Sequence, residues 1–371
     1  MTIQLIIEFI IALSILVFLH EFGHFVACKL VGVEVEEFGF GYPPRALTMF
    51  TWGGTKFTLN WLPFGGFTRP KGESDLPKSG NEIQKEGGEY HFEPGSLYAA
   101  SPWKRIVIYL AGPVMSIMTA VVLFIAIYAM LGSLPDRNRV LLVEIAPNSP
   151  AQAAGLQVGD ILVSVEGVPI HSLDAAKPII ISNPGKALQF VYERNGTNHT
   201  VSITPQNNPG GVPTIGIGMN YPMRPFTIWG AIPESFTSLY DYLRELVGAI
   251  GGMIQGQPSS ATGGRLVGIK GMFDMYASVR ESVVPGVPTL VNVFLFFASI
   301  SISLGLLNLL PIPALDGGRI AFTLPEIIIR RRIPPKYEMW VNFISFALLI
   351  LLMLIINAQD FIHPISVTPI P

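Results

Sequence analysis

His20-Glu21-Phe22-Gly23-His24 sets two imidazoles four residues apart, with a carboxylate beside the first. On a helix this spacing puts both histidines on one face, one turn apart, where both reach a single metal ion. Glu21 flanks the same site, so water beside the metal lies within reach of its carboxylate, as metal-assisted hydrolysis of a peptide requires. A catalytic zinc takes three protein ligands and keeps a fourth position open. The third ligand is found far along the chain, in Asn308-Leu309-Leu310-Pro311-Ile312-Pro313-Ala314-Leu315-Asp316-Gly317-Gly318. Two prolines must break a helix there and the glycines let the backbone turn, so Asp316 projects from an unwound segment. Asn308 carries donors and an acceptor that can hold a substrate backbone, or else cap the broken helix.

The elements that must position these groups are membrane helices. Half of the 371 residues are apolar and 13% are charged, with a mean hydropathy of +0.47, too apolar for an ordinary soluble enzyme. A net charge of -2 gives no footprint for nucleic acid. Cys28 is the single cysteine, which excludes disulfides within the chain and thiolate zinc sites. Four apolar segments are long enough to span: the run from Ile3 into the histidine motif, Ile106 to Leu131, Val291 to Leu310, and Met339 to Ile356. Met1 to Leu19 holds no Lys or Arg, so the first segment is expected to stay as an anchor. Glu8, near its N-terminal end, reads as interfacial. His20 lies about 25 Å along the helix from Ile3, so the site falls inside a ~30 Å hydrocarbon core but near one water layer.

Basic residues orient the spans. Lys29, Lys104, Arg105, Arg319 and Arg330-Arg331-Arg332 flank one side, against Arg137, Arg139 and Arg280 on the other. The first side is expected to be cytoplasmic, with the histidines near that leaflet and both termini outside. After the first span, Ala46 to Phe50 and Lys56 to Trp61, joined by Trp52-Gly53-Gly54-Thr55, read as an aromatic hairpin. Partly sunk in the membrane, it would offer an edge to an extended peptide; otherwise it only anchors. Ser74 to Gly95 reads as an exposed loop. Gly112-Pro113 would kink or loosen the second span.

From Val140 to Met219 the composition turns soluble. A strand at Val140 to Ile145, a capped turn of helix at Ser149 to Leu156, a strand within Val158 to Gly167 and a hairpin around Asn195-Gly196 resemble a PDZ domain in its circularly permuted bacterial arrangement. That resemblance implies a peptide-binding edge over Thr214, Ile215, Gly216 and Ile217, on to Met219, after the Gly210-Gly211 loop, or a module that filters substrates by size. Phe226 to Gly252 has the apolar spacing of an amphipathic helix, set either on the membrane surface or against this module.

The fold class expected is therefore a polytopic α-helical membrane protein of four transmembrane helices, with a membrane-associated β-hairpin and an inserted α+β PDZ domain. The expected partition is a first span in 1–34, a cytoplasmic-side hairpin and loop in 35–103, a second span in 104–132 and the extracytoplasmic module in 138–222. An amphipathic helix and linker follow in 223–287, then a third span in 288–318, a cytoplasmic loop in 319–338, a fourth span in 339–358 and a tail in 359–371.

With the His-Glu-x-x-His, the Gly-Pro, the Asn-x-x-Pro-x-Pro-x-x-Asp-Gly and the inserted module in place, nearly the whole chain resembles the site-2 protease family of intramembrane zinc metalloproteases, nearest the bacterial regulator-of-sigma-E protease group. The resemblance implies zinc on His20, His24 and Asp316, Glu21 as base, and Asn308 seating the substrate. It implies cleavage of a transmembrane segment of an anti-sigma factor or remnant signal peptide already trimmed by another protease, in the cytoplasmic membrane. It also implies lipid as a partner and a peptide or protein C-terminus at the PDZ domain. Leu62 to Phe67 resembles the family's Gly-rich loop. Ser116 and Ser303 stand where members often carry Asn, and one PDZ domain is present where the best-known Gram-negative members have two. Two other classes compete: a membrane adaptor that binds partners through the PDZ domain with a structural or absent metal, and a zinc transporter, which has no use for a base beside the ligands.

Overall fold

The run after Met1 carries neither proline nor any charge but Glu8 before Glu21, and it forms one helix, α1 (Thr2–Val31), ended by Gly32 at φ +82°. A computed structural model of the chain describes residues 2–73, 85–86, 89–90, 92–207, 211–254, 266–282, 287–330, 333 and 335–363. Most of the Ser74 to Gly95 loop, Gly210, His91 and Arg331-Arg332 of the basic cluster lie outside them. After α1 come β1 (Val35–Trp52), β2 (Thr55–Pro70) and α2 (Pro102–Leu131). Next are β3 (Val140–Ile145), α3 (Pro150–Ala153), β4 (Ile161–Val165), α4 (Ala176–Ile181), β5 (Leu188–Arg194), β6 (Thr197–Ile203) and β7 (Ile217–Asn220). The chain continues through α5 (Ile228–Ile254), α6 (Ile269–Glu281), α7 (Thr289–Asn308), α8 (Asp316–Ile329) and α9 (Pro335–Ile362). Four of these helices, α1, α2, α7 and α9, are long and apolar enough to cross a membrane.

Two compact units result: Met1–Met130 with Ser235–Pro371, and Leu131–Glu234. In the first, β1 and β2 meet at Gly53-Gly54, whose φ of +54° and +80° suit the tight turn that joins Trp52 to Thr55. The sheet is more than a simple hairpin. Residues 35–40 of β1 pair with 66–70 of β2, from Val35–Pro70 to Phe40–Gly66, and also with 56–59, from Glu37–Lys56 to Phe40–Leu59. Both strands therefore bend back, and 66–70 becomes an outer edge. Glu37, buried at the centre, gathers Arg45, Arg69 and Thr58 on its carboxylate, which ties the three segments together.

Several expected boundaries shift. The stretch expected as a cytoplasmic loop at 319–338 is mostly helix, α8, and α9 begins at Pro335 and runs past 358 to Ile362. The expected linker holds a second helix, α6, whose N-terminal N–H groups are met by α9: Asp360 accepts from Gly268 and Gly271, and Asn357 from Lys270. At the other end of α6, Tyr276 donates to Glu8 at 2.9 Å and Arg280 lies 3.6 Å from the same carboxylate, so Glu8 has partners on a neighbouring helix. α2 runs unbroken through Pro113.

In the second unit the sheet order is β6-β5-β4-β3-β7, around a core that includes Val140, Leu162, Phe190 and Ile203. Ser149 caps α3 by accepting from Gln152, and Asn195-Gly196 turns the β5–β6 hairpin with both φ angles positive. The expected binding edge is shorter than read from sequence. Only Ile217–Asn220 forms the edge strand, antiparallel to β3. Pro213–Thr214 pairs with Gln206–Asn207, Ile215 is core at 1% exposure, and Gly216 takes φ +77° where an added Cβ would meet Ser149 Cβ at 2.3 Å.

Asp160 is a buried charge of this unit. Burial alone raises a carboxyl pKa, but Arg194 grips both oxygens, at 2.6 and 2.7 Å, and the Gln157 N–H adds a third bond, so the net shift is downward. A lowered folded-state pKa contributes stability above the unfolded value of about 4, and that stability is lost as pH falls through the folded pKa. Arg194→Met leaves burial opposed chiefly by the single Gln157 N–H bond. Acid unfolding of the segment 140–220, followed by hydrogen exchange on the full chain, should then move to higher pH than in the wild type.

Candidate metal centre

Three donor atoms from two distant stretches of chain converge. His20 Nε2 and His24 Nε2 are 3.3 Å apart, and each lies 3.3 Å from Asp316 Oδ2. Ligands at about 2.05 Å from one tetrahedral ion stand ~3.3 Å from each other, so the spacing suits zinc. All three residues are buried, and among the described residues none donates a hydrogen bond to Asp316 Oδ2. A buried carboxylate oxygen left in that state calls for a cation.

Each histidine is aimed from its far side by α2. His24 Nδ1 bonds the Ile108 carbonyl at 2.8 Å, so that nitrogen carries the proton and Nε2 presents its lone pair inward. His20 Nδ1 meets Ser116 Oγ at 2.9 Å, and the Ser116 carbonyl accepts from Ser301 of α7 at 2.7 Å. Between them Gly112 leaves the space the imidazoles fill: a Cβ there would stand 2.2 Å from His24 Nε2 and 2.8 Å from His20 Nε2. Gly23 plays the same part on α1, where an added Cβ would lie 2.3 Å from the Ala111 carbonyl oxygen.

Asp316 is brought in by the break after α7. Its glycines act differently from the sequence expectation. Gly317 and Gly318 are helical, and they matter because a Cβ on either would strike the carbonyls of Leu310 and Ile312 at 2.2 and 2.3 Å. The left-handed residue is Ala314, φ +75°, whose N–H is held by Asn342 of α9 at 3.0 Å. Asp316 is accordingly the first residue of α8 and not part of the unwound stretch.

Around the donors is a cavity of about 450 Å³, which Glu21 and Asn308 also line together with Tyr42 and Phe67 of the hairpin. Arg319, paired with Glu73 and 5.8 Å from the Tyr109 ring centre, lies on its wall. Asn308 reaches the cavity but its Nδ2 donates to Leu304 within α7 at 2.9 Å, the local bond of a helix end. Cys28 is buried and stands apart from the donor group. Thr214 to Ile217 belong to the other unit.

Residues 8–352 match the model of peptidase family M50. The chain belongs to that family. Full-length relatives agree: a putative zinc metalloprotease of Clostridium perfringens is 32% identical over 97% of this chain and 99% of its own length. The zinc metalloprotease RasP of Geobacillus kaustophilus is 30% identical, covering 97% and 98%. The regulator of sigma-W protease RasP of Bacillus subtilis is 28% identical, covering 96% and 98%. Among solved structures, the PDZ domain of an SdrC-like protein from Listeria innocua aligns at 25% identity over 23% of this chain and 96% of that one, with a TM-score of 0.21. This M50 member is a zinc metalloprotease and an integral membrane protein.

Sequence reading passed over Ser301, Asn342 and Thr68, and gave Gly112 and Ser116 other parts, a kink in the second span and a departure from the family pattern. Part of the signal was present, since Ile108, Gly112 and Ser116 fall at i, i+4 and i+8, one face of α2. Gly112→Ala should leave the purified protein with little zinc by metal analysis. Ser116→Ala, which removes only the partner of His20, should weaken zinc about tenfold to a hundredfold in competition with a chelator.

Proposed function

We propose that the chain is an intramembrane protease whose zinc is held by His20, His24 and Asp316, and that it cuts single-span membrane proteins. The observation that carries this reading is the trio of donors 3.3 Å apart, sharing one cavity with Glu21 inside a set of apolar helices. Zinc bound there supplies a Lewis acid that polarises the scissile carbonyl. Glu21 takes the proton of the attacking water and passes it to the leaving amine, the work of a single base turned acid. Each imidazole is steadied on its far nitrogen by α2, and Asp316 supplies the negative charge of the donor set. Tyr42 and Phe67 give the cavity an aromatic wall suited to apolar residues of a substrate segment, which must be unwound for its carbonyl to be reached.

An anti-sigma factor, a reading in keeping with the regulator of sigma-W protease of Bacillus subtilis, suits such a site, as do remnant signal peptides. In this reading the donors lie toward the cytoplasmic leaflet, with Lys29, Lys104 and Arg105 on that side, and the inserted module and both termini lie outside. The module either binds a peptide end along Ile217–Asn220 or excludes bulky outer domains.

The experiment is cleavage of a single-span reporter peptide by the purified chain in detergent. Glu21→Gln should keep zinc and lose about a hundredfold or more in rate. A chelator should abolish cleavage by the wild type, and added zinc should restore it. Equal cutting by Glu21→Gln contradicts the reading; binding at the module with no cutting of several trimmed substrates favours an adaptor.

A further inference from the structure

Glu21 has only one hydrogen bond to its carboxylate among the described residues. The backbone N–H of Thr68 donates to Oε2 at 2.9 Å. The hydroxyl of Thr68 donates to the main-chain carbonyl of Glu21 at 2.7 Å, a second bond on an oxygen that has two lone pairs. One strand residue thus holds both ends of the proposed base.

The setting shows why Thr68 can do this. Thr68 lies in the outer segment 66–70, with Phe38 as its register partner. Alternate residues of a strand turn their N–H groups to opposite sides, so an N–H directed at Glu21 is directed away from Phe38. At Thr68 this outer segment therefore faces α1. Two glycines permit the close approach: a Cβ on Gly65 would lie 2.8 Å from Val17, and one on Gly66 3.3 Å from Phe18. Pro70, further along the same edge, has no N–H to offer.

We propose that Thr68 is the positioning residue of Glu21. By tying Oε2 it fixes a side chain that would otherwise sample several rotamers, and it leaves the other carboxylate oxygen for the proton of the attacking water. The hydroxyl bond sets the height of the strand against the helix, so that the N–H arrives at the carboxylate. The inference rests on the reading of Glu21 as base. It also gives the hairpin a second duty, which is to brace the catalytic helix.

The test uses the full chain in detergent with the single-span reporter, measuring kcat, KM and zinc per chain for Thr68→Ser, Thr68→Ala and Thr68→Pro, with Glu21→Gln alongside. Thr68→Pro removes both bonds at an edge position where the sheet does not use the N–H. Its kcat should fall about tenfold to a hundredfold, while KM stays within about twofold and zinc is unchanged. Thr68→Ala, lacking only the hydroxyl, should lose about threefold to tenfold in kcat, and Thr68→Ser should restore the wild-type value. If Thr68→Pro fails to fold or to hold zinc, the Ala and Ser pair decides. The proposal is overturned if Thr68→Ala keeps wild-type kcat, or if its loss appears in KM or zinc content. Activity in Glu21→Gln would instead remove the base itself, a separate failure that the Thr68 variants cannot mimic.

Discussion

A carboxylate oxygen buried among apolar helices with no donor to satisfy it is costly, and the fold around Asp316 keeps it in that condition. Among the described residues, its close polar neighbours are two imidazole nitrogens, each already committed through its other nitrogen to α2. Such a trio is stable as a cation site and poor as anything else. The demand for this one convergence explains features that have no local rationale: a glycine in each of two packed helices, a helix broken by two prolines, and an alanine held in the left-handed region by an asparagine from a fourth helix.

The site is braced from three sides, each with its own chemistry. α2 supplies a carbonyl, a hydroxyl and a missing side chain, at one-turn intervals that match the one-turn spacing of the histidines. The break after α7 supplies Asp316, kept in place by the Gly317-Gly318 approach to the preceding carbonyls. The hairpin supplies Thr68 to Glu21. Precise placement matters here because an error of an ångström at a hydrolytic centre costs orders of magnitude in rate. Helices and a sheet edge hold position better than loops do.

Much of this was legible in the sequence, for physical reasons. Histidines at i and i+4 declare a shared helix face, long apolar runs declare spans, and Gly53-Gly54 or Asn195-Gly196 declare tight turns, because each signal is local. Legibility ended where partners come from elsewhere in the chain. Ser116 looked like a departure from a family pattern, yet its hydroxyl serves His20. Asn308 was read as a substrate contact or a cap of the broken helix, and its amide nitrogen bonds within its own helix while the residue also lines the cavity. α6 and α8 were missed because their ends are fixed by distant residues, Asp360 and Asn357 for α6 and Arg105 with Glu326 along α8. No sequence pattern could reveal that Thr68, in the outer segment of the hairpin, would meet Glu21 of α1.

The central claim is that one zinc ion is shared by exactly two histidines of α1 and the aspartate that begins α8. X-ray absorption at the zinc edge, on the purified protein loaded with one equivalent, tests it most directly, since scattering from imidazole rings counts histidine ligands. The account predicts two imidazoles with oxygen completing the shell, no sulfur, and one imidazole fewer in His24→Ala. A shell containing sulfur or three or more imidazoles, or a spectrum unmoved by His24→Ala, would contradict it.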